Sequence, residues 1–138
     1  FNIQRGWLRS VEICMNSFPI ESFIDEIARK LKKDPVKFRL SLLEGRAMFT
    51  TGDGPGAMKQ YPQRIADVLK LAAEKIGYNE PRKKNHFIGV ATNSFIFAIS
   101  YAAHAIEIEL LGPKKFRIVK IVAAIDCGIV INPDGMRN

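Results

Sequence analysis

The chain has 138 residues, 47% of them hydrophobic and 25% charged, and its formal net charge is +7 at pH 7. This length suits one domain with a hydrophobic core, and the composition is that of an ordinary globular protein. No stretch is apolar for long enough to form a clean membrane span: residues 87–103 come nearest, but Gly89, Asn93 and Ser100 interrupt them.

The positive charge is divided among three small groups, at residues 29–33, 82–84 and 114–115. Neither interleaved aromatic residues nor a nucleic-acid-binding motif accompanies these groups, so no nucleic-acid partner is expected. We interpret them as solvated surface, and an anionic partner of another kind is the alternative. The two cysteines, Cys14 and Cys127, are expected to be buried thiols, with a disulfide as the alternative.

The first predicted element is an amphipathic helix entered after Pro19 and ending near Lys33. Its apolar residues recur at helical spacing and its charged residues take the opposite face. Asp34 and Pro35 then form an N-cap followed by proline in the first helical position, which predicts a second helix through residues 38–43. The apolar stripe of the first helix consists of Ile20, Phe23, Ile24, Ile27, Ala28 and Leu31, and the charged face of Glu21, Asp25, Arg29 and Lys32.

A loop and a third helix follow. The glycine-rich run at residues 50–56 is expected to hold no regular structure. Pro62 then opens a helix that Gly77 ends. Its apolar stripe is Ile65, Val68, Leu69, Ala72, Ala73 and Ile76.

The periodicity changes after Phe87. Residues 104–110 alternate between two faces, Gly112 begins a turn, and residues 116–125 form a second strand rich in isoleucine and valine. The two strands predict an antiparallel hairpin whose first arm can extend back toward Val90. Helices followed by strands indicate an α+β fold.

Few residues suggest catalysis by their type and spacing alone. We expect His104 to be a hydrogen-bonded structural histidine rather than a catalytic one. Glu107 and Glu109 share one face of a predicted strand, and although paired carboxylates can transfer protons, we expect both to be solvated. The two histidines, His86 and His104, lack the arrangement of a metal site.

Several short sequence elements stand in a fixed order from residue 6 onward. They are Gly6-Trp7-Leu8-Arg9-Ser10, Glu21-Ser22-Phe23-Ile24-Asp25-Glu26-Ile27-Ala28, Asp34-Pro35-Val36-Lys37-Phe38-Arg39-Leu40-Ser41-Leu42-Leu43, residues 69–78, residues 101–108, and Asp126-Cys127-Gly128-Ile129-Val130-Ile131-Asn132-Pro133. In this order they resemble the molybdenum hydroxylases, the xanthine oxidase and aldehyde oxidoreductase family. The resemblance is closest to large subunits of the isoquinoline 1-oxidoreductase type, and residues 44–60 are its one unmatched part.

The resemblance implies an oxidoreductase that hydroxylates aldehydes or N-heterocycles and takes the oxygen from water. It implies a molybdenum–molybdopterin cofactor in the parent enzyme, iron–sulfur clusters on a partner small subunit, and contacts with the remainder of the large subunit. The family's catalytic glutamate lies beyond Asn138. We therefore expect the chain to be an internal fragment that is inactive and binds no cofactor by itself.

The resemblance also implies roles for individual residues. Arg9 would position the substrate, and the alternative is that Arg9 caps the following helix or pairs with a carboxylate. Val11 and Glu12 depart from the family, which usually has a glycine there. A turn near the cofactor would consist of Asp126, Cys127, Gly128, Asn132 and Pro133; the alternative is a structural turn that ends a buried strand.

The expected organisation is one segment, residues 1–138, of a larger molybdopterin-binding domain. Residues 1–45 are its helical part, 46–60 a flexible loop, 61–78 a helix, 86–126 the β-hairpin and 127–138 a turn toward the cofactor site. The alternative function is a non-catalytic binding module, or truncated relative, with a basic surface for an anionic partner. A structural subunit of a larger assembly is a third hypothesis. Apolar surface left exposed on a fragment predicts self-association.

Overall fold

A computed structural model describes residues 13–95 and 99–137 of the chain. Helices and antiparallel strands within these ranges confirm the predicted α+β class. The elements in order are α1 (Ile13–Lys30), α2 (Pro35–Leu43), β1 (Phe49–Thr50), β2 (Lys59–Gln60), α3 (Pro62–Ile76), β3 (His86–Phe95), β4 (Ser100–Gly112), β5 (Lys115–Asp126) and α4 (Pro133–Arg137).

The main sheet has the antiparallel order β3-β4-β5. The predicted hairpin is correct for β4 and β5. Its first arm, however, does not continue back toward Val90 as one strand: the chain reverses before β4, and residues 86–95 form a separate strand, β3, that pairs with β4 and places Phe95 opposite Ser100. The sequence between these two strands, residues 96–99, contains no glycine, proline, asparagine or aspartate. Without those residues the reversal gives no turn signal, and the two strands resemble one long apolar run.

Helix α3 packs on the inner face of this sheet and forms most of the core. Leu69 and Ile76 are at most 2% exposed and face Ala103 and Ala105 of β4, both fully buried. The small alanine side chains let the helix approach the strand closely, so the contact is dense. The predicted bounds of α3 are confirmed, and Gly77 ends the helix in the left-handed conformation at φ 74°.

Helix α1 begins earlier than predicted, because Pro19 lies inside it and does not start it. Proline lacks the N–H that would bond to the carbonyl four residues before it. The turn before Pro19 is held instead by Ser17, whose hydroxyl donates to the Ile13 carbonyl oxygen at 2.6 Å and accepts a hydrogen bond from the Asn93 side chain. A contact with β3 therefore supports a helical turn that the local sequence disfavours.

The orientation of α1 also differs from the amphipathic prediction. Phe23, on the predicted apolar face, is 63% exposed, whereas Glu21 and Asp25 of the predicted solvent face point toward α2. There they hold Arg39, a side chain only 2% exposed, with Nε 2.9 Å from Glu21 and Nη1 2.7 Å from Asp25. The second oxygen of Glu21 accepts a hydrogen bond from Thr92 of β3 at 3.0 Å. Charged contacts therefore attach α1 to its neighbours.

The predicted second helix is confirmed, since Asp34 caps α2 by accepting a hydrogen bond from the Lys37 N–H at 2.8 Å. The Asp34 carboxylate also accepts a hydrogen bond from Tyr78 at 3.0 Å. Burial, followed by this hydrogen bond, raises the pKa of Tyr78 to about 12. One carboxylate thus connects the start of α2 to the end of α3.

The expected loop at residues 46–60 contains a two-residue hairpin at its ends. Phe49 lies opposite Gln60 and Thr50 opposite Lys59, and residues 51–58 between them are irregular. The hairpin leads directly to the core, because Gln60 is 4% exposed and the Tyr61 N–H donates to the Tyr101 hydroxyl at 3.1 Å.

The outer face of the sheet, opposite α3, carries exposed apolar side chains. Phe116, Ile118, Ile121 and Ile125 of β5 are each more than half exposed. They form what we call the outer apolar face, together with neighbours on β3 and β4. Strand β5 is also an edge strand, and edge strands offer unpaired backbone groups to another chain.

Replacing Arg39 with methionine should lower the free energy of unfolding by about 3 kcal/mol, because it leaves two poorly solvated carboxylates without their common partner. Urea denaturation followed by circular dichroism measures this change. Arg29→Met is the matched control: Arg29 lies 3.7 Å from the same Asp25 but is 76% exposed, and its loss should cost less than about 0.5 kcal/mol. Equal losses for the two variants would contradict the importance of the buried pairings.

The isolated chain should self-associate through the outer apolar face and the edge of β5. In sedimentation velocity, the double change Ile118→Lys and Ile121→Lys should shift the chain toward monomer, because two ammonium groups resist burial. Leu71→Lys alters an exposed apolar residue on α3 and should leave the association unchanged. A wild-type chain that stays monomeric at high concentration would contradict this expectation.

Candidate functional site

The predicted cofactor-proximal turn begins at Asp126, which ends β5 and lies opposite Tyr101 of β4. Arg64 of α3 forms a two-pronged ion pair with Asp126, with Nε 2.6 Å from one carboxylate oxygen and Nη2 2.5 Å from the other. The Arg64 guanidinium also stacks on the Tyr101 ring, 4.7 Å from its centroid. Three elements therefore fix the point at which the turn leaves the sheet.

The ion pair determines the charge of Asp126. The hydrogen bonds from Arg64 lower the pKa of Asp126, and a hydrogen bond from the Gly128 N–H at 3.0 Å lowers it further. The same pairing raises the pKa of Arg64. Asp126 is consequently an ionised carboxylate that anchors the turn, and it does not exchange protons near neutral pH.

The rest of the turn folds back on itself. Gly128 has a φ of 81°, a left-handed conformation that side-chain-bearing residues rarely adopt. Asn132 accepts a hydrogen bond from the Gly135 N–H at 3.1 Å and caps α4, in which Pro133 is the first residue. The exposed Cys127 contacts Met136, with 3.6 Å between their sulfur atoms.

The structure thus brings the predicted turn residues together, and their side chains contact the chain itself. The carboxylate of Asp126 and the amide of Asn132 hold the turn's shape, while the thiol of Cys127 remains at the surface. The prediction of buried cysteines is wrong for Cys127, because the turn projects from the end of the sheet. Arg9, predicted to position a substrate, lies outside the described residues.

Sequence reasoning missed Arg64, although the sequence contains one signal for it. Arg64 lies in the first turn of α3, a turn without any acidic residue. The helix dipole disfavours a cation in the first turn of a helix. An arginine at that position therefore favours a carboxylate partner from another part of the fold. The partner could not be identified from the sequence, because Asp126 is 62 positions away.

A second polar cluster surrounds Glu107, which the sequence analysis expected to be solvated. That expectation is wrong: Glu107 is 9% exposed and faces inward with Tyr101 and the alanines of β4. One carboxylate oxygen lies 2.8 Å from Nδ1 of His86, and the other 3.8 Å from a guanidinium nitrogen of Arg82. Each member has a partner within the fold, which favours a structural role. Glu109 pairs with Arg117 at 2.5 Å.

His104 also differs from expectation. It is exposed on the outer face of β4, and among residues 13–95 and 99–137 it has no hydrogen-bond partner. His104 lines a cleft of about 580 Å³ between the N-terminal half of α1 and the outer face of the sheet. We call it the helix–sheet cleft; its walls include Phe18, Glu21, Asp25, Phe95, His104 and Ile125.

Neither a metal site nor a membrane-spanning helix is found in the part of the chain that the structure describes. Within residues 13–95 and 99–137, no group of three or more histidine, cysteine, aspartate or glutamate side chains is placed to hold a metal ion. No helix in these ranges is long and apolar enough to cross a membrane.

Two proteins of known identity are similar to this chain over almost its whole length. The membrane-bound aldehyde dehydrogenase (pyrroloquinoline-quinone) of Gluconacetobacter polyoxogenes is 31% identical over 140 residues, covering 96% of this chain and 17% of that protein. A nicotinate dehydrogenase subunit of Pseudomonas putida is 24% identical over 152 residues, covering 99% of this chain and 11% of that protein. No protein-family model matches the chain. The chain is therefore similar to a short segment of two much longer oxidoreductases.

Replacing Arg64 with glutamine should raise the pKa of Asp126, because it removes the main cause of the lowered value. A carboxyl group whose pKa is lower in the folded state than in the unfolded state stabilises the fold at pH values above its ordinary pKa, 3.8. It loses that contribution as the pH falls through the folded-state pKa. At neutral pH the free energy of unfolding of the wild-type chain should therefore exceed that of the variant by about 1 kcal/mol. The difference should disappear in strong acid.

Carbon-detected NMR of the Asp126 carboxyl group and urea denaturation at several pH values measure these two effects. Arg64→Lys keeps the charge but not the two-pronged geometry, so it should restore only part of the lowered pKa. Arg117→Gln removes an exposed ion pair with Glu109 and should leave Asp126 unaffected. An unchanged Asp126 pKa in Arg64→Gln would contradict the assignment.

Proposed function

We propose that this chain is a segment of the large, molybdopterin-binding subunit of a molybdenum hydroxylase-type oxidoreductase. The parent enzyme would hydroxylate aldehydes or N-heterocycles and take the oxygen from water. The observation that carries the proposal is the alignment of nearly the whole chain with two dehydrogenases, one named for an aldehyde and one for nicotinate, an N-heterocyclic acid. The order of the sequence elements from Gly6-Trp7-Leu8-Arg9-Ser10 to Asp126–Pro133 supports the molybdenum family.

The exposed surfaces support a place within a larger protein. The outer apolar face leaves Ile118 and Ile121 each more than half exposed, and Phe23 of α1 is 63% exposed. Such surfaces are typical of contacts with further protein. We assign them to the remainder of the large subunit, and an iron–sulfur small subunit completes the proposed assembly.

The turn from Asp126 to Pro133 fits a backbone role at the cofactor. Its two polar side chains are used within the turn, but Gly128 is open, with no atom within 4 Å of where a Cβ would lie. An open glycine permits close approach of a ligand to the backbone, and backbone N–H and C=O groups are among the polar groups that orient small molecules in their sites. When bound, molybdenum–molybdopterin would supply the oxidation chemistry, while the Arg64–Asp126 pair keeps the backbone of the turn in one shape.

Arg9 is the proposed substrate-positioning residue. Arg9 follows Gly6-Trp7-Leu8 in the sequence and lies outside the described residues. The proposal rests on the resemblance of this element to the family, since a guanidinium can bind a substrate heteroatom or stabilise developing negative charge.

Metal and cofactor analysis of the whole polypeptide that contains this segment, purified with its partner subunit, tests the proposal. We expect stoichiometric molybdenum by mass spectrometry, a fluorescent pterin after oxidation, and ¹⁸O from labelled water in the product. Pyrroloquinoline quinone without molybdenum would overturn the molybdenum assignment, and that quinone appears in the name of one relative.

A glycine variant tests the turn itself. Gly128→Val in the whole polypeptide should lower its pterin and molybdenum content severalfold, because valine is strained at φ 81° and fills the open side of the turn. Gly54→Val is the matched control, since Gly54 has φ 102° and equally open surroundings but lies in the loop of residues 51–58. Full cofactor content in Gly128→Val would remove the turn from the cofactor site.

The alternative, a binding module with a basic surface, remains a prediction with its own test. Arg82 of one basic group is partly buried, donates a hydrogen bond to the Gly77 carbonyl and lies 3.8 Å from the Glu107 carboxylate, which leaves Lys83 and Lys84 as the exposed members of this group. Retention on a polyanion column that persists at high salt and is lost in Lys83→Gln/Lys84→Gln would favour this alternative.

A further inference from the structure

The first half of β5, residues 115–121, is apolar on its outer side. Phe116, Ile118 and Ile121 lie there and are between 54% and 61% exposed. Phe116 is opposite Leu110 of β4, which is itself exposed, so the apolar surface continues across the two strands. Side chains this exposed on an edge strand have room for apolar neighbours from a further strand.

The inner side of the same half-strand is cationic. Lys120 lies opposite Glu107, which faces inward, and Arg117 lies opposite Glu109. A register shift between β4 and β5 places both cations on this side, although simple alternation would separate them. Lys115 lies on the side of Arg117 by strand alternation. The half-strand is therefore apolar on one side and cationic on the other.

The positive charge on the inner side is only partly balanced. Arg117 has Glu109 as its partner at 2.5 Å. Lys120 donates to the carbonyl oxygen of Lys75 at 2.7 Å, and this acceptor is uncharged. In the described part of the chain neither Lys115 nor Lys120 forms an ion pair. A carboxylate from another segment would therefore find two lysines without an acidic partner.

The backbone of β5 offers a second kind of contact. Among the described strands β5 is the last of its sheet, so the edge away from β4 has no partner strand. A strand added there would pair with the backbone, and its side chains would alternate between the apolar and the cationic side. A second copy of β5 fits less well, because a continuous sheet would bring the cations of both copies to one side.

We propose that the edge of β5 at residues 115–121 receives an extended segment in which apolar and acidic residues alternate. The chain covers 17% and 11% of its two longer relatives, and each relative has several times more chain outside the aligned segment. The added strand comes from the corresponding polypeptide, and this source is the one respect in which the inference rests on the proposed function.

Three capped nonapeptides test the pairing in the 138-residue chain. The first alternates glutamate with valine, the second alternates lysine with valine, and the third is the glutamate peptide with methylated backbone nitrogens. Hydrogen–deuterium exchange in β5 against peptide concentration, on chain dilute enough to be monomeric, gives the affinities and locates the contact. We expect the glutamate peptide to bind roughly fivefold or more tightly than the lysine peptide at low salt. Methylation should abolish binding, because it removes the donors of the added strand.

Charge variants identify the cations that the strand contacts. Lys115→Glu/Lys120→Glu should reverse the preference toward the lysine peptide, and Lys115→Gln/Lys120→Gln should remove most of it. Unchanged exchange in the α3 core is the evidence of folding. Lys37→Glu/Lys59→Glu makes the first charge change at exposed positions on α2 and β2, and should leave the preference unchanged.

Cross-linking in the whole polypeptide identifies the source of the strand. Carbodiimide couples a lysine amine to a carboxylate in contact with it, so Lys115 or Lys120 should be joined to an acidic residue of the same polypeptide outside residues 1–138. A link to the partner subunit, or between two copies, would overturn this source. The readout does not depend on molybdenum, so a polypeptide that gives the link but holds no molybdenum would lose the enzyme assignment alone.

Three results with the peptides would overturn the proposal. Equal affinity for the glutamate and lysine peptides would remove the charge complementarity. Undiminished binding of the methylated peptide would show attachment without strand pairing. Binding of none of the peptides would mean that the lysines keep the edge of β5 unpaired, as lysines on edge strands commonly do.

Discussion

The close packing of α3 against the alanine-rich face of β4 is the contact on which the rest of the structure depends. Because Ala103 and Ala105 are small and fully buried, the helix lies near the strand. That proximity places Arg64 over the Tyr101 ring and within reach of Asp126. The position of the terminal turn thus follows from a hydrophobic contact in the middle of the sheet.

Charged contacts then attach the outer elements to this core. Arg39 joins α1 to α2 through two carboxylates, and Asp34 joins α2 to Tyr78 at the end of α3. In both arrangements, buried or partly buried polar groups are paired with each other. These directional contacts fix the orientation of the helices where apolar packing is weak. The consequence is that α1 leaves much of its own apolar stripe exposed.

The elements that could be predicted are those whose signals are local. Asp34-Pro35 and Gly77 mark helix ends with their own backbone chemistry, and α2 and α3 were confirmed. The reversal before β4 lacks a local turn signal, whereas the helical course of α1 around Pro19 and the burial of Glu107 involve residues distant in sequence. Ser17, two residues before Pro19, contacts Asn93 of β3, and the buried Glu107 has His86 and Arg82 as partners. For the turn at Asp126, the resemblance located the residues, but only the fold identified Arg64 as its anchor.

The place of this turn in the parent enzyme is the central claim, and an experimental structure of the whole polypeptide with its partner subunit tests it most directly. We expect backbone groups of residues 126–133 within hydrogen-bonding distance of a molybdenum-bound pterin, with the Arg64–Asp126 pair intact beneath them. A turn that lies far from any pterin, or a polypeptide without a pterin site, would contradict the claim.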